Sequence, residues 1–294
     1  MKRTSALLLA SALVAALTTF TTTAPAAADG PSCGATVLKD DGTPWVCTFA
    51  DEFDGNALDR TKWTPQETGV GGLSGGGTDC WVDNPNTIAV NAGTLKLTSR
   101  QYPWPILCKN PRGGNYVTQY ISGSVTTRGA FEQTYGRWEI RAKFGNAQAT
   151  TGTQSALWLY PSKHTYGDWP ASGEIDIAEY YSKYTDRAIP VIHYNRADTE
   201  DKSHTDYRCL IWQPWQFHTY TLVWTPTDIV ISIDGQECID HKISAAAPLT
   251  GSAPFDQPFV TNLTQTLGMG QNPFDPATTP LPQQTQVDYV RVWS

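Results

Sequence analysis

Short runs of alternating apolar and polar residues, broken repeatedly by Gly, Pro, Asn or Asp, limit the folds open to this chain more than any other feature. Arg137-Trp138-Glu139-Ile140-Arg141-Ala142-Lys143-Phe144 repeats with period two, and so does Gly93-Thr94-Leu95-Lys96-Leu97-Thr98. Side chains alternate across a strand, so each run buries one face and wets the other. Ser155 to Leu159, Glu174 to Tyr180, Ile189 to Tyr194, His218 to Trp224, Ile229 to Ile233 and Val287 to Trp293 are further strand-like runs, and Asp234-Gly235 is a turn signal. No segment keeps a capped 3.6-residue period for three turns, and 20 irregularly placed prolines oppose long helices. The pattern predicts an all-β chain folded as an antiparallel β-sandwich. The Gly-rich stretch from Gly69 to Gly77 reads as a loop, because strand-like sequence resumes on both sides. No internal repeat or linker divides the chain.

The first segment reads as an address. Lys2 and Arg3 precede an apolar and small-residue run from Ser5 to Phe20, and Ala26-Ala27-Ala28 supplies a small-residue cleavage pattern. The run is short for a bilayer span. A secretory signal peptide over 1–28 and a single domain over 29–294 are therefore expected, in a secreted, extracellular protein. The net charge is −7, and the first segment contributes Lys2 and Arg3 but no acid. An acidic surface argues against nucleic acid or an anionic membrane as partner and says nothing against a neutral sugar polymer. Nothing in the chain demands more than a monomer. Six cysteines in an exported chain suggest three disulfides among 15 possible pairings; nearest-neighbour pairing would give Cys33–Cys47, Cys80–Cys108 and Cys209–Cys238. Eleven Trp and 13 Tyr, against two Met, suit a surface that stacks on sugars, although most rings in a sandwich belong to its core.

The chemistry is concentrated in Trp169-Pro170-Ala171-Ser172-Gly173-Glu174-Ile175-Asp176-Ile177-Ala178-Glu179-Tyr180. Glu174 and Asp176 share one strand face, with Ile175 and Ile177 on the other. Strict alternation would drive Glu179 into the core, where an unpaired carboxylate is costly. A one-residue bulge near Ile177 or Ala178 would return it to the acid face. Inward-leaning glutamates on such a strand approach the ~5–5.5 Å carboxyl separation of a retaining glycosidase. Three acids so close cannot all be charged without raising one pKa, so one can serve as acid while another serves as nucleophile. A solvated acidic strand edge or a calcium site is the competing reading of the bare spacing.

These residues resemble family 16 of the glycoside hydrolases, whose signature is Glu-x-Asp-x-x-Glu or Glu-x-Asp-x-Glu on a strand of a β-jelly-roll. Asp51-Glu52-Phe53-Asp54-Gly55, Asn91-Ala92-Gly93-Thr94-Leu95, Tyr135-Gly136-Arg137-Trp138-Glu139-Ile140-Arg141 and Val287-Asp288-Tyr289-Val290-Arg291-Val292 resemble other family blocks in order, from about Phe49 to Trp293. The resemblance implies a jelly-roll sandwich with a concave substrate cleft. It implies Glu174 as nucleophile, Glu179 as general acid and base, and Asp176 as the carboxyl that tunes both, with retention of configuration. The bulged spacing resembles the laminarinase, agarase and galactanase side of the family. Trp169 would stack on the sugar next to the scissile bond. Trp158 would line the cleft or the core, and His193 would be a cleft or a core histidine. Asn86 and Arg137 would contact hydroxyls at far subsites, while Trp224 and Trp293 belong to the core.

Three segments depart from the laminarinase pattern. Gly152-Thr153-Gln154-Ser155-Ala156 stands where Gly-x-Trp-Pro-Ala is usual, Thr264-Gln265-Thr266-Leu267-Gly268-Met269 differs from the late Asn-Leu-Ala-Val-Gly-Gly, and the Cys80 to Cys108 insert is not general. Catalysis by this acid set needs no cofactor. The resemblance also implies a structural calcium at Glu52, the Gly93 carbonyl and Asp288, although these residues could equally cap turns. The reading that follows is endo-hydrolysis of a β-1,3-glucan. A β-galactan hydrolase and a non-catalytic glucan-binding protein on the same fold are the alternatives.

Overall fold

The computed structural model describes residues 30–73, 78–197 and 203–294 of the 294-residue chain. The predicted signal segment, 1–28, lies outside them, as does the tip of the Gly-rich loop. Residues Pro31–Ser294 form one compact body.

Early strands are β1 (Cys47–Asp51), β2 (Thr64–Pro65), β3 (Cys80–Trp81), β4 (Ile88–Asn91), β5 (Thr94–Cys108) and β6 (Tyr116–Thr126). The middle of the chain gives β7 (Gly136–Lys143), β8 (Thr153–Pro161), β9 (Glu174–Tyr181), β10 (Ile189–His193) and β11 (Ser203–Thr205). The last are β12 (His218–Trp224), β13 (Asp228–Ile233), β14 (Gln236–Lys242), β15 (Phe259–Leu267) and β16 (Gln283–Trp293). One helical turn, α1 (Thr68–Gly71), opens the Gly-rich stretch that the sequence reads as loop. Thr68 holds it: its hydroxyl donates to the Leu73 carbonyl at 2.7 Å and accepts the Trp81 N–H at 3.0 Å.

The hydrogen-bonded order is β11-β10-β9-β8-β15-β6-β5-β16-β7-β12-β13-β14, with β1, β2, β3 and β4 attached at the sides. Pairing is antiparallel apart from the two-residue β3 against β6. The path turns back at the β5–β6 hairpin, so β11 to β6 form one layer and β5 to β14 the other. This is the jelly-roll sandwich expected.

Period-two sequence makes the layers face each other. Along β7, Trp138, Ile140 and Ala142 are buried while Arg137, Glu139, Arg141 and Lys143 turn outward. Ile175, Leu157 and Leu263 from one layer meet Trp138, Leu222 and Val290 from the other in one continuous core. Phe144 stacks on Tyr180 across that core at 4.9 Å, and Trp224 meets Phe259 edge-on at 5.1 Å. Burying large rings of this kind contributes about 2–3 kcal/mol each. Trp224 lies in this core as read from sequence, whereas Trp293 is buried on the other face of its layer, in a small cluster with Cys33 and Ala50. The disulfides are Cys33–Cys47, Cys80–Cys108 and Cys209–Cys238, the nearest-neighbour set.

Candidate active site

Strand β9 carries one extra residue, and the site depends on it. Against β8 the register runs Ala156↔Glu179, Leu157↔Ala178 and then Trp158↔Asp176, leaving Ile177 unopposed. The β10 side slips at the same place, pairing Ile189 with Glu179 but Val191 with Asp176. Ile177 and Ala178 are both buried in the core with Ile175 and Tyr180. The bulge predicted near these residues therefore exists, and Glu174, Asp176 and Glu179 share the outer face of the layer. Gly173 sets the entry to the strand. Its φ is 84°, and a Cβ there would lie 2.8 Å from the Phe255 ring, so no other residue fits without strain.

Antiparallel pairing arranges the neighbours in rows across this face. Thr264, Ala156, Glu179 and Ile189 form one row, and Asn262, Trp158, Asp176 and Val191 the next. Thr266, Gln154 and Tyr181 form the row beyond Glu179, and His193 stands opposite Glu174 on β10. All these side chains are fixed by central strands rather than loops.

Each acid has its own partners. The Trp169 indole N–H donates to Glu174 Oε2, and the Trp169 ring tilts over His193 at 5.3 Å. His193 Nε2 lies 3.4 Å from Asp176 Oδ2. Gln154 Nε2 donates to Glu179 Oε1 at 2.7 Å, and the Tyr181 hydroxyl lies near enough to the same carboxyl to favour its charged form. Burial, then the adjacent Asp176 charge, pushes Glu174 up to about 8. Burial and then the Glu179 charge push Asp176 well up. Burial also raises Glu179, against the Tyr181 hydroxyl, His193 and Gln154, which lower it. The three carboxyls thus titrate as one set, holding protons at a pH where isolated carboxyls have lost them. Such a set can donate one proton and offer one carboxylate in the same chamber.

The acids floor a groove. A chamber of about 180 Å³ is bounded by the three carboxyls together with Trp81, Trp158 and Thr264. Past Glu174 it opens into a trough of about 580 Å³ lined by Trp158, Tyr160, His164, Trp169 and Arg112. Past Glu179 it opens into another of about 360 Å³, lined by Gln154, Tyr181, Tyr184, Tyr207 and Met269. Trp158 and Glu174 border both the chamber and the first trough, and Gln154 and Glu179 both the chamber and the second. The three spaces adjoin, so the groove runs past the acid set on both sides.

Most of the predicted residues converge there. Trp169, 54% exposed, and Trp158, half-buried, both face the groove, and Trp158 Nε1 donates to Thr264 Oγ1 at 3.0 Å. His193 lies between Trp169 and Asp176, on the cleft side rather than in the core. Two expectations are corrected. Arg137 belongs to β7 in the other layer, and the alternation that buries Trp138 turns it to the far outer face. There it pairs with Glu139 and lies over the Trp293 ring at 5.3 Å. Asn86 is an exposed turn residue whose Nδ2 donates to Asn84 Oδ1 at 2.9 Å, and it does not border the groove.

The residues expected to hold calcium do not fit an ion. Both Glu52 oxygens accept from Arg291, at 2.7 and 2.8 Å, and Asp288 is paired with Arg141. A divalent cation would have to displace both guanidiniums from the only acids in its set. Among the described residues no cluster of three or more His, Cys, Asp or Glu is disposed to bind a metal. Gly93 has φ 70° in the β4–β5 turn, a backbone role that explains it without a ligand.

Sequence reasoning did not name Tyr181, Trp81 or Tyr160 as parts of the site, and met Gln154 and Thr266 only within segments that depart from the family pattern. Gln154 and Tyr160 were readable, since they lie two residues either side of Ala156 and Trp158 on the same strand face. Trp81 was not, because it reaches the chamber from the insert, where its indole N–H donates to Thr266 Oγ1 at 3.0 Å.

A paired-glutamate strand in an open groove on a jelly-roll defines a polysaccharide-cleaving architecture. Residues 78–290 match the model of glycosyl hydrolases family 16, and the chain belongs to that family. It is 31% identical over 266 residues to glucan endo-1,3-beta-glucosidase A1 of Niallia circulans, covering 83% of this chain and 37% of that protein. It is 34% identical over 263 residues to a keratan-sulfate endo-1,4-beta-galactosidase of Sphingobacterium multivorum, covering 85% of this chain and 56% of the other. The chain thus spans about a third to a half of the length of these two relatives. The X-ray structure of the laminarinase from Rhodothermus marinus superposes with a TM-score of 0.68 at 29% identity, covering 85% of this chain and 97% of that one.

Proposed function

We propose that this chain is an exported, retaining endo-β-glucanase that hydrolyses β-1,3-linked glucan. The observation that carries the reading is the Ile177 bulge, which sets Glu174, Asp176 and Glu179 together on the floor of a groove that runs past them on both sides. A chain seated in such a groove needs no free end, which favours internal cleavage.

In this mechanism Glu174 attacks the anomeric carbon and Glu179 protonates the departing glycosidic oxygen, giving a covalent glycosyl-enzyme. Glu179, now charged, takes a proton from water, which displaces Glu174 with net retention. The sugar under attack lies on the Glu174 side, so its chain continues past Trp158 and Trp169, while the leaving sugar occupies the trough of Gln154, Tyr184 and Tyr207. Burial raises Glu174 to about 8, whereas attack needs its carboxylate; His193 and the Trp169 N–H favour that charged form, as does the positive charge that develops on the sugar. Asp176, beside both, keeps the proton within the set. None of these steps calls for a cofactor.

A β-galactan is the second reading. It is favoured by the similarity to the Sphingobacterium galactosidase and by the departures at Gln154 and Thr264, both of which border the chamber. A non-catalytic glucan-binding protein is disfavoured by the intact acids. The three disulfides and the signal-like first 28 residues support export, and the mature unit is proposed to act as a monomer. The test is a panel of laminarin, mixed-linkage β-glucan, xyloglucan, agarose, carrageenan and arabinogalactan, with products sized and the anomer first released read by NMR. Laminarin oligomers with the β-anomer first support the proposal. Products from a galactan alone move the specificity to the second reading, and binding without products to the third.

A further inference from the structure

We propose that Gln154 is a positioning residue for Glu179, holding the acid–base carboxyl in line through both of its protonation states. The inference rests on the role proposed for Glu179.

Three observations carry it. Gln154 Nε2 donates to Glu179 Oε1 at 2.7 Å. Gln154 is itself anchored on rigid strands: it is paired between Thr266 of β15 and Tyr181 of β9, and its carbonyl accepts from Gln265 Nε2 at 3.3 Å. Tyr181, two residues along β9 from Glu179 and paired with Gln154 of β8, has its hydroxyl beside the same carboxyl, so two side chains of one row flank Glu179. This row stands at the boundary of the chamber and the leaving-sugar trough, where a proton must be delivered.

An amide suits this place for a chemical reason. Glu179 is a neutral acid in the first step and a carboxylate in the second. A carboxamide offers a donor beside an acceptor, so it hydrogen-bonds the carboxylate through N–H and, after rotation, the acid O–H through C=O. The indole usual at this position in laminarinase-like sequences carries a donor only. The N–H to a carboxylate also stabilises the charged form, opposing the burial that raises the Glu179 pKa. Gln154 therefore lowers the pH at which the acid loses its proton.

The test is kcat/KM against pH for the wild type, Gln154→Leu and Gln154→Glu, on whichever polysaccharide the panel identifies. Losing the donor should move the basic limb up by about one unit and lower kcat about tenfold. Gln154→Glu, which keeps the size and adds a like charge, should move it further up. Unfolding temperatures are measured alongside; should Gln154→Leu fail to fold, the Gln154→Glu profile decides. An unmoved basic limb with a raised KM would make Gln154 a plain substrate contact and overturn the proposal. Glu179→Ala on an aryl glycoside with a highly acidic leaving group separates the two levels. Retained turnover there upholds Glu179 as the acid, so an unmoved limb then sinks only the Gln154 inference. Lost turnover sinks the assignment of Glu179 itself.

Discussion

Glu174 occupies an environment that opposes its own ionisation, and that has consequences for stability as well as for rate. Its pKa is near 8 in the folded chain against 4.5 for an isolated glutamate, chiefly through burial. The folded state therefore binds the proton more tightly, and the stability this gives is full below 4.5 and is lost as pH rises toward 8. Glu174→Gln removes the linkage, so its Tm should gain on that of the wild type as pH is raised from 5 to 8. Scans of both proteins across that range check this, and a constant difference would refute it. In turnover, Glu174→Ala should fall by several orders of magnitude, and added azide should restore a glycosyl azide of inverted configuration. Rescue with inversion confined to Glu179→Ala would reverse the two roles. That the three acids share one strand face was legible in the sequence, from alternation with a single bulge, whereas Trp169 entered only through the family resemblance. Gln154 was legible only as an oddity, since a hydrogen bond between adjacent strands needs their pairing and not just their order.

At the scale of the strand, the bulge in β9 converts one residue of length into a change of face. Deleting Ile177 leaves Glu-Ile-Asp-Ala-Glu, in which plain alternation keeps all three acids outward. That variant should fold, lose about 2–4 kcal/mol for the missing buried side chain, and retain measurable turnover. Adding an alanine after Ala178 instead either turns Glu179 inward, where the bulge is kept, or sets it one step farther along the strand from Glu174, and in both cases should abolish turnover. Reducing-sugar release and denaturant melts of both variants read the difference. The period-two runs predicted most strands well, because each is wet on one face. Strand β15 escaped the reading: Phe259–Leu267 is buried along its whole length yet carries Thr, Asn and Gln. Its polar side chains bond side chains of neighbouring strands, as Gln265 Oε1 does in accepting from Ser155 Oγ and Thr285 Oγ1, each at 2.9 Å. Such a network has no apolar period to detect.

For the whole molecule, arginines stand where the family resemblance had suggested an ion. Exhaustive chelation should leave Tm unchanged, whereas Arg291→Ala should cost about 1 kcal/mol by breaking its two bonds to Glu52. A large drop in Tm on chelation would restore calcium to the account. The sequence offers Glu52 and Asp288 as donors without their neighbours, and the guanidiniums opposite them come from other positions on β7 and β16.

The groove that runs past both ends of the acid set also bears on how a solution of the polymer changes under the protein. A blind pocket would take residues from a terminus, leaving long chains long until late. A through-channel breaks chains near their middles, where each cut halves the length that governs flow. A gel or thick solution should therefore thin almost at once, while few new reducing ends have formed. Viscometry run beside a reducing-end assay would record the shape of this channel without any view of the molecule.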